Sequence, residues 1–314
     1  MALPKIIPYS MPTESDLPSQ KVMWNPDPKR AVLLIHDMQQ YFLDAFTYGQ
    51  SPVVELLANI KLLRMQCNAL GIPVIYTAQP GGQTPAERGL LQDFWGAGIN
   101  DGPNQKKIVE ELTPNEQDIV LTKWRYSGFQ KTNLREILSE QGRDQLIVSG
   151  IYAHIGCLLT TCDAFMMDIE PFFVADALAD FSLEHHKMAL TYAAERCAVT
   201  LTTQRLLDEL KRAQVTKVEI GSETEFPSMT LESIREQVAE LLHESPSDIA
   251  DNDDLIISRG LDSIRIMRLV ERWRRSGVEV TFVELAERPT LAEWWRLLIT
   301  RSQQVLPNTD YFAL

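Results

Sequence analysis

Ala31-Val32-Leu33-Leu34-Ile35-His36-Asp37 is the stretch that decides the fold. Five apolar residues in a row, without alternation, suit a strand buried on both faces, and the polar pair His36-Asp37 marks where that strand leaves the sheet. Helical spacing follows from about Val53 to Leu70, and Gly71 stops it. Pro73-Val74-Ile75-Tyr76-Thr77 reads as the next strand, followed by Ile119-Val120-Leu121-Thr122, Leu146-Ile147-Val148 and Phe172-Phe173-Val174-Ala175. Continuous apolar runs alternating with helices predict a three-layer α/β domain, its parallel sheet covered on both faces. Ligands of such sheets bind beyond the carboxyl ends of the strands. That rule directs attention to Asp37, Gln79, Lys123 and the segment after Gly150.

The rhythm breaks after residue 210. Residues 211–228 are polar, contain Gly221 and Pro227, and read as a linker that closes a first domain of residues 1–210. From Thr230 the pattern is purely helical. Leu231, Ile234, Val238 and Leu241 share one face, Ile266, Leu269, Val270 and Trp273 share another, and Gly277 is placed to stop that helix. Pro289-Thr290 opens a last helix with Leu291, Trp294 and Leu298 turned inward. Residues 229–305 are therefore expected to form a small all-α, four-helix domain, with residues 306–314 as a tail.

Composition bounds the partners. The 314 residues are 45% apolar, which allows one core of about 200 residues and a smaller second one. A formal charge of −13 argues against nucleic acid and anionic membranes. No run approaches the ~18 apolar residues of a membrane span. Met1-Ala2-Leu3-Pro4-Lys5 lacks an apolar signal core, so a cytoplasmic location is expected. Cys67, Cys157, Cys162 and Cys197 show no C-x-x-C pairing and read as reduced thiols.

In the helical domain, Gly260-Leu261-Asp262-Ser263-Ile264 turns into a helix, with Asp262 as N-cap and Ser263 in the first turn. A phosphodiester at Ser263 would meet unpaired amides and the positive end of the helix dipole. Alone, the turn also fits a plain helix cap. Its setting favours the attachment reading: it lies about 30 residues into a small helical module, after Asp251, Asp253 and Asp254. Residues 229–301 carry 14 acidic and 10 basic side chains, a net of −4. The module resembles the aryl carrier domain of nonribosomal siderophore synthesis, which implies 4′-phosphopantetheine attached covalently to Ser263. Arg265, Arg268 and Arg272 are either a solvated helix face or a docking patch for an adenylating ligase or a condensation domain.

Residues 28–210 resemble the isochorismatase-like (cysteine hydrolase) family. The resemblance rests on Leu33-Leu34-Ile35-His36-Asp37-Met38-Gln39, Tyr76-Thr77-Ala78-Gln79-Pro80, Leu121-Thr122-Lys123-Trp124-Arg125-Tyr126 and Gly150-Ile151-Tyr152-Ala153-His154-Ile155-Gly156-Cys157. With the carrier appended, the chain is similar to the bifunctional isochorismatase/aryl carrier proteins of 2,3-dihydroxybenzoate siderophore pathways of the bacillibactin and enterobactin type. Amidases of the family use an Asp-Lys-Cys triad, and Asp37 and Lys123 match its first two members. The nucleophile position falls on Gly156, and Cys157 stands one residue away, a rotation of ~100° on a helix. Without a thiol there is no acyl-enzyme route, so the departure points to the branch that cleaves a vinyl ether without covalent catalysis. No metal is expected: Gln79 stands where metal-binding relatives carry acidic and His ligands.

The reaction so implied needs one acid against carbon. Asp37 would protonate the terminal methylene of isochorismate. Water would add to the oxocarbenium ion, and the hemiketal would collapse to pyruvate and 2,3-dihydro-2,3-dihydroxybenzoate. Lys123 opposes protonation of Asp37, so the acid is expected mainly with substrate bound. The resemblance further implies Gln79, Arg88, Trp95 and Tyr152 as substrate-binding residues, with the Gly156 amide at the reacting centre. Arg88 suits a carboxylate through its planar fork. Tyr126 and Arg125 either act or only line the pocket. His36 reads as a structural hydrogen-bonding residue, and His185-His186 as surface or outer-sphere residues. Implied partners are a phosphopantetheinyl transferase, a 2,3-dihydroxybenzoate-adenylating ligase and a downstream nonribosomal peptide synthetase condensation domain. A separate dehydrogenase must act between hydrolysis and loading, and a homodimer through the α/β domain is expected. A scaffold with an inactive hydrolase domain and a Cys157-dependent amidase remain as alternatives.

Overall fold

The structure is a computed structural model and describes residues 3–221, 230–242, 244–275 and 278–302. Compact units part between Gly221 and Ser222. In the first unit six parallel strands form one sheet in the order β3-β2-β1-β4-β5-β6. They are β1 (Ala31–His36), β2 (Val74–Ala78), β3 (Ile119–Thr122), β4 (Gln145–Ile151), β5 (Glu170–Ala179) and β6 (Val199–Leu201). Between them run α1 (Gln40–Leu43), α2 (Val53–Ala69), α3 (Pro85–Arg88), α4 (Leu91–Trp95), α5 (Leu134–Glu140), α6 (Leu158–Met166) and α7 (Leu183–Arg196), and α8 (Thr203–Gly221) follows β6.

Every residue of β1 is buried, and its side chains divide between two cores. Ala31, Leu33 and Ile35 pack with α2 and α8, while Val32 and Leu34 pack with α5, α6 and α7. An apolar run without alternation thus meets a helical layer on each face, as the sequence predicts. The chain order reverses at β1, which has β2 on one side and β4 on the other, so the carboxyl end of β1 is the switch point where a crevice opens. Gly150 of β4 stands opposite His36 of β1 with φ +112°, and a Cβ there would lie 2.2 Å from the His36 carbonyl oxygen. Only glycine admits this approach.

One strand goes unread and one expectation changes. The three-residue β6 has no run long enough to read. The chain after residue 210 is not linker at its start: α8 continues to Gly221. From Thr203 to Gly221 there is no proline and no earlier glycine, and Lys, Arg, Gln, Glu, Leu and Ala dominate. Helix propensity therefore outweighs the polar composition that suggested a linker. Residues 222–228 of the expected linker, Gly277 and the 306–314 tail lie outside the described residues.

The second unit holds α9 (Leu231–Leu242), α10 (Ser263–Arg275), α11 (Phe282–Ala286) and α12 (Leu291–Ser302). Its core joins Ile234 and Val238 to Ile266, Leu269, Val270 and Trp273, and to Leu291, Trp294 and Leu298, as the helical spacing predicts. Trp273 and Trp294 meet edge to face at 6.0 Å. Among the described residues no helix is long and apolar enough to cross a membrane.

Candidate active site

Asp37 is the first residue past β1 and takes a left-handed backbone with φ 49°. Asp tolerates that region better than most residues, and the turn aims its carboxylate back over the sheet edge. Three donors converge on it. Lys123 Nζ at the end of β3 donates to Oδ2 at 2.7 Å, Gln79 Nε2 at the end of β2 to the same oxygen at 3.0 Å, and Thr77 Oγ1 to Oδ1 at 2.7 Å. Asp37 is 4% exposed and Lys123 1%. Burial pushes the Asp37 carboxyl up, but the Lys123 ammonium, neighbouring His36 and the converging donors outweigh it, and the net direction is down. The free site therefore holds an ion pair, not an acid.

Gln79 is the hinge of the polar network. Its Oε1 accepts from Arg88 Nη1 at 3.3 Å, and its backbone is clamped in both directions by Gln39 at 2.8 Å. Arg88, 4% exposed, also donates from Nε to the Gly96 carbonyl at 2.9 Å. Its guanidinium faces no carboxylate among the described residues, and burial holds its pKa below the usual arginine range. Asp37, Lys123, Gln79, Arg88, Trp95, Tyr152 and Gly156 all line one cavity, joined by Tyr126, His36 and Phe181. Trp95 Nε1 donates to Tyr126 Oη at 2.7 Å. Phe181 stacks on Tyr152 at 4.2 Å and on Trp95 at 6.0 Å, completing an aromatic wall. The cavity is about 50 Å³, room for a few waters, against the ~300 Å³ or more of typical ligand sites.

The segment after β4 enters a π-helical turn, Ala153–Cys157, before α6. This turn puts Gly156 on the cavity wall and Cys157 in the opposite core beside Val32 and Leu34. Cys157 is fully buried, and desolvation pushes its thiol well above the ordinary range. It is no nucleophile for this cavity, which removes the amidase alternative that depends on it. His36 is also buried. Its Nδ1 lies 2.9 Å from the Ile151 carbonyl and its Nε2 3.3 Å from that of Tyr126, and burial lowers its pKa to about 4.

Of the less certain positions, Tyr126 lines the cavity, whereas Arg125 turns away to the Glu87 carbonyl at 2.9 Å. His186 is buried on the Ala175 carbonyl, and His185 is exposed. His154, Asp180 and His185 have a spacing compatible with a metal, and Gln79 is not among them. The Asp180 oxygens already accept from the His154 amide, His154 Nδ1 and the Phe181 amide. Sequence reasoning missed Thr77, Gln39 and Phe181.

In the second unit Ser263 opens α10 and is exposed, and Asp262 caps the helix by accepting from the Arg265 amide at 2.9 Å. Gly260 has φ +69° with open space around it, and Leu261 is anchored in the core. The turn thus presents Ser263 on a fixed pedestal. An exposed hydroxyl at the first turn of a 13-residue helix suits a bulky phosphodiester substituent.

A buried Asp-Lys pair at the strand ends of a parallel sheet, with glycine at the third position, defines an isochorismatase-type hydrolase unit. Residues 31–205 match the isochorismatase domain family, and the chain belongs to that family. Residues 232–298 match the phosphopantetheine attachment site family. The chain is 64% identical to the isochorismatase of Bacillus subtilis (strain 168), over 99% of this chain and 100% of that one. It is 45% identical to enterobactin synthase component B of Escherichia coli (strain K12), over 95% of this chain and 98% of that one. Among solved structures, a cysteine hydrolase from Pseudomonas syringae pv. phaseolicola 1448A shares the fold, with TM-score 0.56, 21% identity, and cover of 61% of this chain and 97% of that one.

Proposed function

We propose that the first unit hydrolyses the vinyl ether of isochorismate to pyruvate and 2,3-dihydro-2,3-dihydroxybenzoate, and that the second carries 2,3-dihydroxybenzoate as a thioester on a Ser263-linked phosphopantetheine. The observation that carries the reading is a buried, triply donated Asp37 and a side-chain-free Gly156 lining one cavity. Among the described residues the lining holds a carboxyl group but no cysteine thiol or serine hydroxyl, which suits acid-promoted addition of water.

The residues divide the work by charge. Arg88, facing no carboxylate among the described residues, takes a substrate carboxylate. A second anionic group near Lys123 shares its ammonium and weakens the force that keeps Asp37 ionised. Asp37 then takes up a proton and passes it to the methylene carbon, and the proton released as water adds returns to the Asp37 carboxylate. Gln79, fixed by Gln39, orients the ring, and the Trp95, Phe181 and Tyr152 wall limits water to the one molecule that must add. When attached to Ser263, the arm supplies a thiol on a flexible tether. Asp262 and Gly260 hold the turn open for a transferase.

The partners this implies are a phosphopantetheinyl transferase, an adenylating ligase for 2,3-dihydroxybenzoate and a condensation domain. A homodimer in the cytoplasm belongs to the same reading. The test is twofold. Pyruvate release from isochorismate is expected from the whole chain and lost in Asp37→Ala. Intact mass is expected to rise on incubation with coenzyme A and a transferase, and to rise again with ligase, ATP and 2,3-dihydroxybenzoate. No pyruvate from the parent chain would leave the scaffold reading with an inactive hydrolase unit.

A further inference from the structure

Gly156 and His36 are 120 residues apart in sequence and in contact in space. A Cβ built on Gly156 would stand 2.1 Å from His36 Cε1, 2.8 Å from Nε2 and 3.0 Å from Nδ1. Real Cβ atoms do not approach so closely, so any side chain at 156 requires the ring to move. The ring borders the cavity on one side and is held on the others. It is fully buried, spans the carbonyls of Ile151 and Tyr126, and belongs to the last residue of β1, whose every residue is buried. Gly156 lines the same cavity as Asp37 and Lys123. A side chain there would reach the reacting centre if the imidazole were absent.

We propose that His36 determines the reaction type: its imidazole fills the seat that a nucleophilic side chain at position 156 would need, so the two residues form one coupled steric device. His36 is a positioning residue, not a proton carrier. Its own contacts are backbone carbonyls, and its Nδ1 stands 3.9 Å from Asp37 Oδ2, beyond hydrogen-bond reach. The inference deepens the hydrolase reading above and rests on it for what the cavity does. The packing test reads neither pyruvate nor isochorismate, so either idea can fail without the other.

The experiment is a double-mutant cycle on the full chain, Gly156→Ala with His36→Val, read by thermal melting. Gly156→Ala alone is expected to lower Tm, and in the His36→Val background the same methyl is expected to cost less than half as much. Additive losses overturn the proposal, as does Gly156→Ala alone melting at the parental temperature. Should His36→Val not fold, His36→Asn keeps a donor for the Ile151 carbonyl with a smaller group and runs the same cycle.

A second measurement separates this role from simple core packing. In Gly156→Cys/His36→Val the introduced thiol is expected to enter the cavity that Lys123 lines, where the ammonium favours the thiolate. Its sulfur displaces iodide from iodoacetamide, forming S–C as C–I breaks, with the thiol proton released to solvent. Labelling at pH 7 is expected at least tenfold faster than that of the native cysteines, and slower when Lys123→Met is added. A thiol no more reactive than the native ones, or indifferent to Lys123, overturns the proposal.

Discussion

Replacing Asp37 with asparagine tests the site at two levels. Lys123 Nζ, Gln79 Nε2 and Thr77 Oγ1 all donate to this one carboxylate. An amide offers a single acceptor oxygen and adds two donors of its own, so at least one buried donor loses its partner. The ammonium of Lys123, 1% exposed, is then a buried charge without its counter-ion. Breaking such a pair from one side costs about 3–5 kcal/mol. For a unit of 221 residues, at about 2–4 °C per kcal/mol, Tm should fall by roughly 6–20 °C. Asparagine cannot supply the acid, so turnover should fall by about 10²–10⁴. Asp37→Asn/Lys123→Met separates the effects: removing both charges should recover most of the Tm and none of the turnover. Melting curves and pyruvate release on the four proteins complete the cycle. Parental turnover in either Asp37→Asn protein would refute the assignment of Asp37 as the acid. A melting loss that Lys123→Met does not repair would refute the pairing energetics.

Other outcomes follow from named contacts. His36 and His186 are both buried with pKa values lowered to about 4. The unfolded chain binds protons that these groups refuse when folded, so stability should rise with pH between about 4 and 6.5, by at most ~3 kcal/mol per histidine. Asp37 works in the same direction at lower pH: its depressed pKa contributes stability that is lost as pH falls below about 4. Urea midpoints at pH 4.5 and 7 should show this slope and a shallower one in His186→Gln; an unchanged slope would count against it. Arg88→Met should lower kcat/KM about 10–150-fold, the loss of a ~1.5–3 kcal/mol charged hydrogen bond, and parental kinetics would remove Arg88 from the substrate site. Native Cys157 should resist iodoacetamide while turnover persists, because its thiol is buried and held protonated; inactivation tracking its labelling would revive a thiol mechanism. Ser263→Ala should abolish the mass gain with coenzyme A and transferase and leave pyruvate release intact; a persisting gain would place the arm elsewhere.

The parts legible in the sequence were those with a period or an end. β1 is readable because five apolar residues stop at His36-Asp37, and the same logic puts Gln79 and Lys123 at strand ends, where the structure gathers them. The inward faces of α9, α10 and α12 are readable because a 3.6-residue period survives in Ile234, Val238, Leu269, Trp273, Leu291 and Leu298. Thr77 was not readable: a hydroxyl inside a strand has no periodic signature, and its bond to Asp37 exists only because β1 and β2 are neighbours. Phe181 joins the wall through rings at 95 and 152, which no local pattern connects. Polarity alone misread the start of the 211–228 segment, where the residues are good helix formers and α8 runs on.

The closeness of Gly156 to the His36 ring also bears on how such a scaffold changes over generations. With 2.1 Å between the would-be Cβ and the imidazole, gaining any side chain at 156 first is unfavourable, whereas losing the ring first leaves a gap that a later change can fill. The order of substitutions is therefore not free. A descendant that gained a side chain at 156 would lose its imidazole first, and would pass through an intermediate with a hole beside its acid.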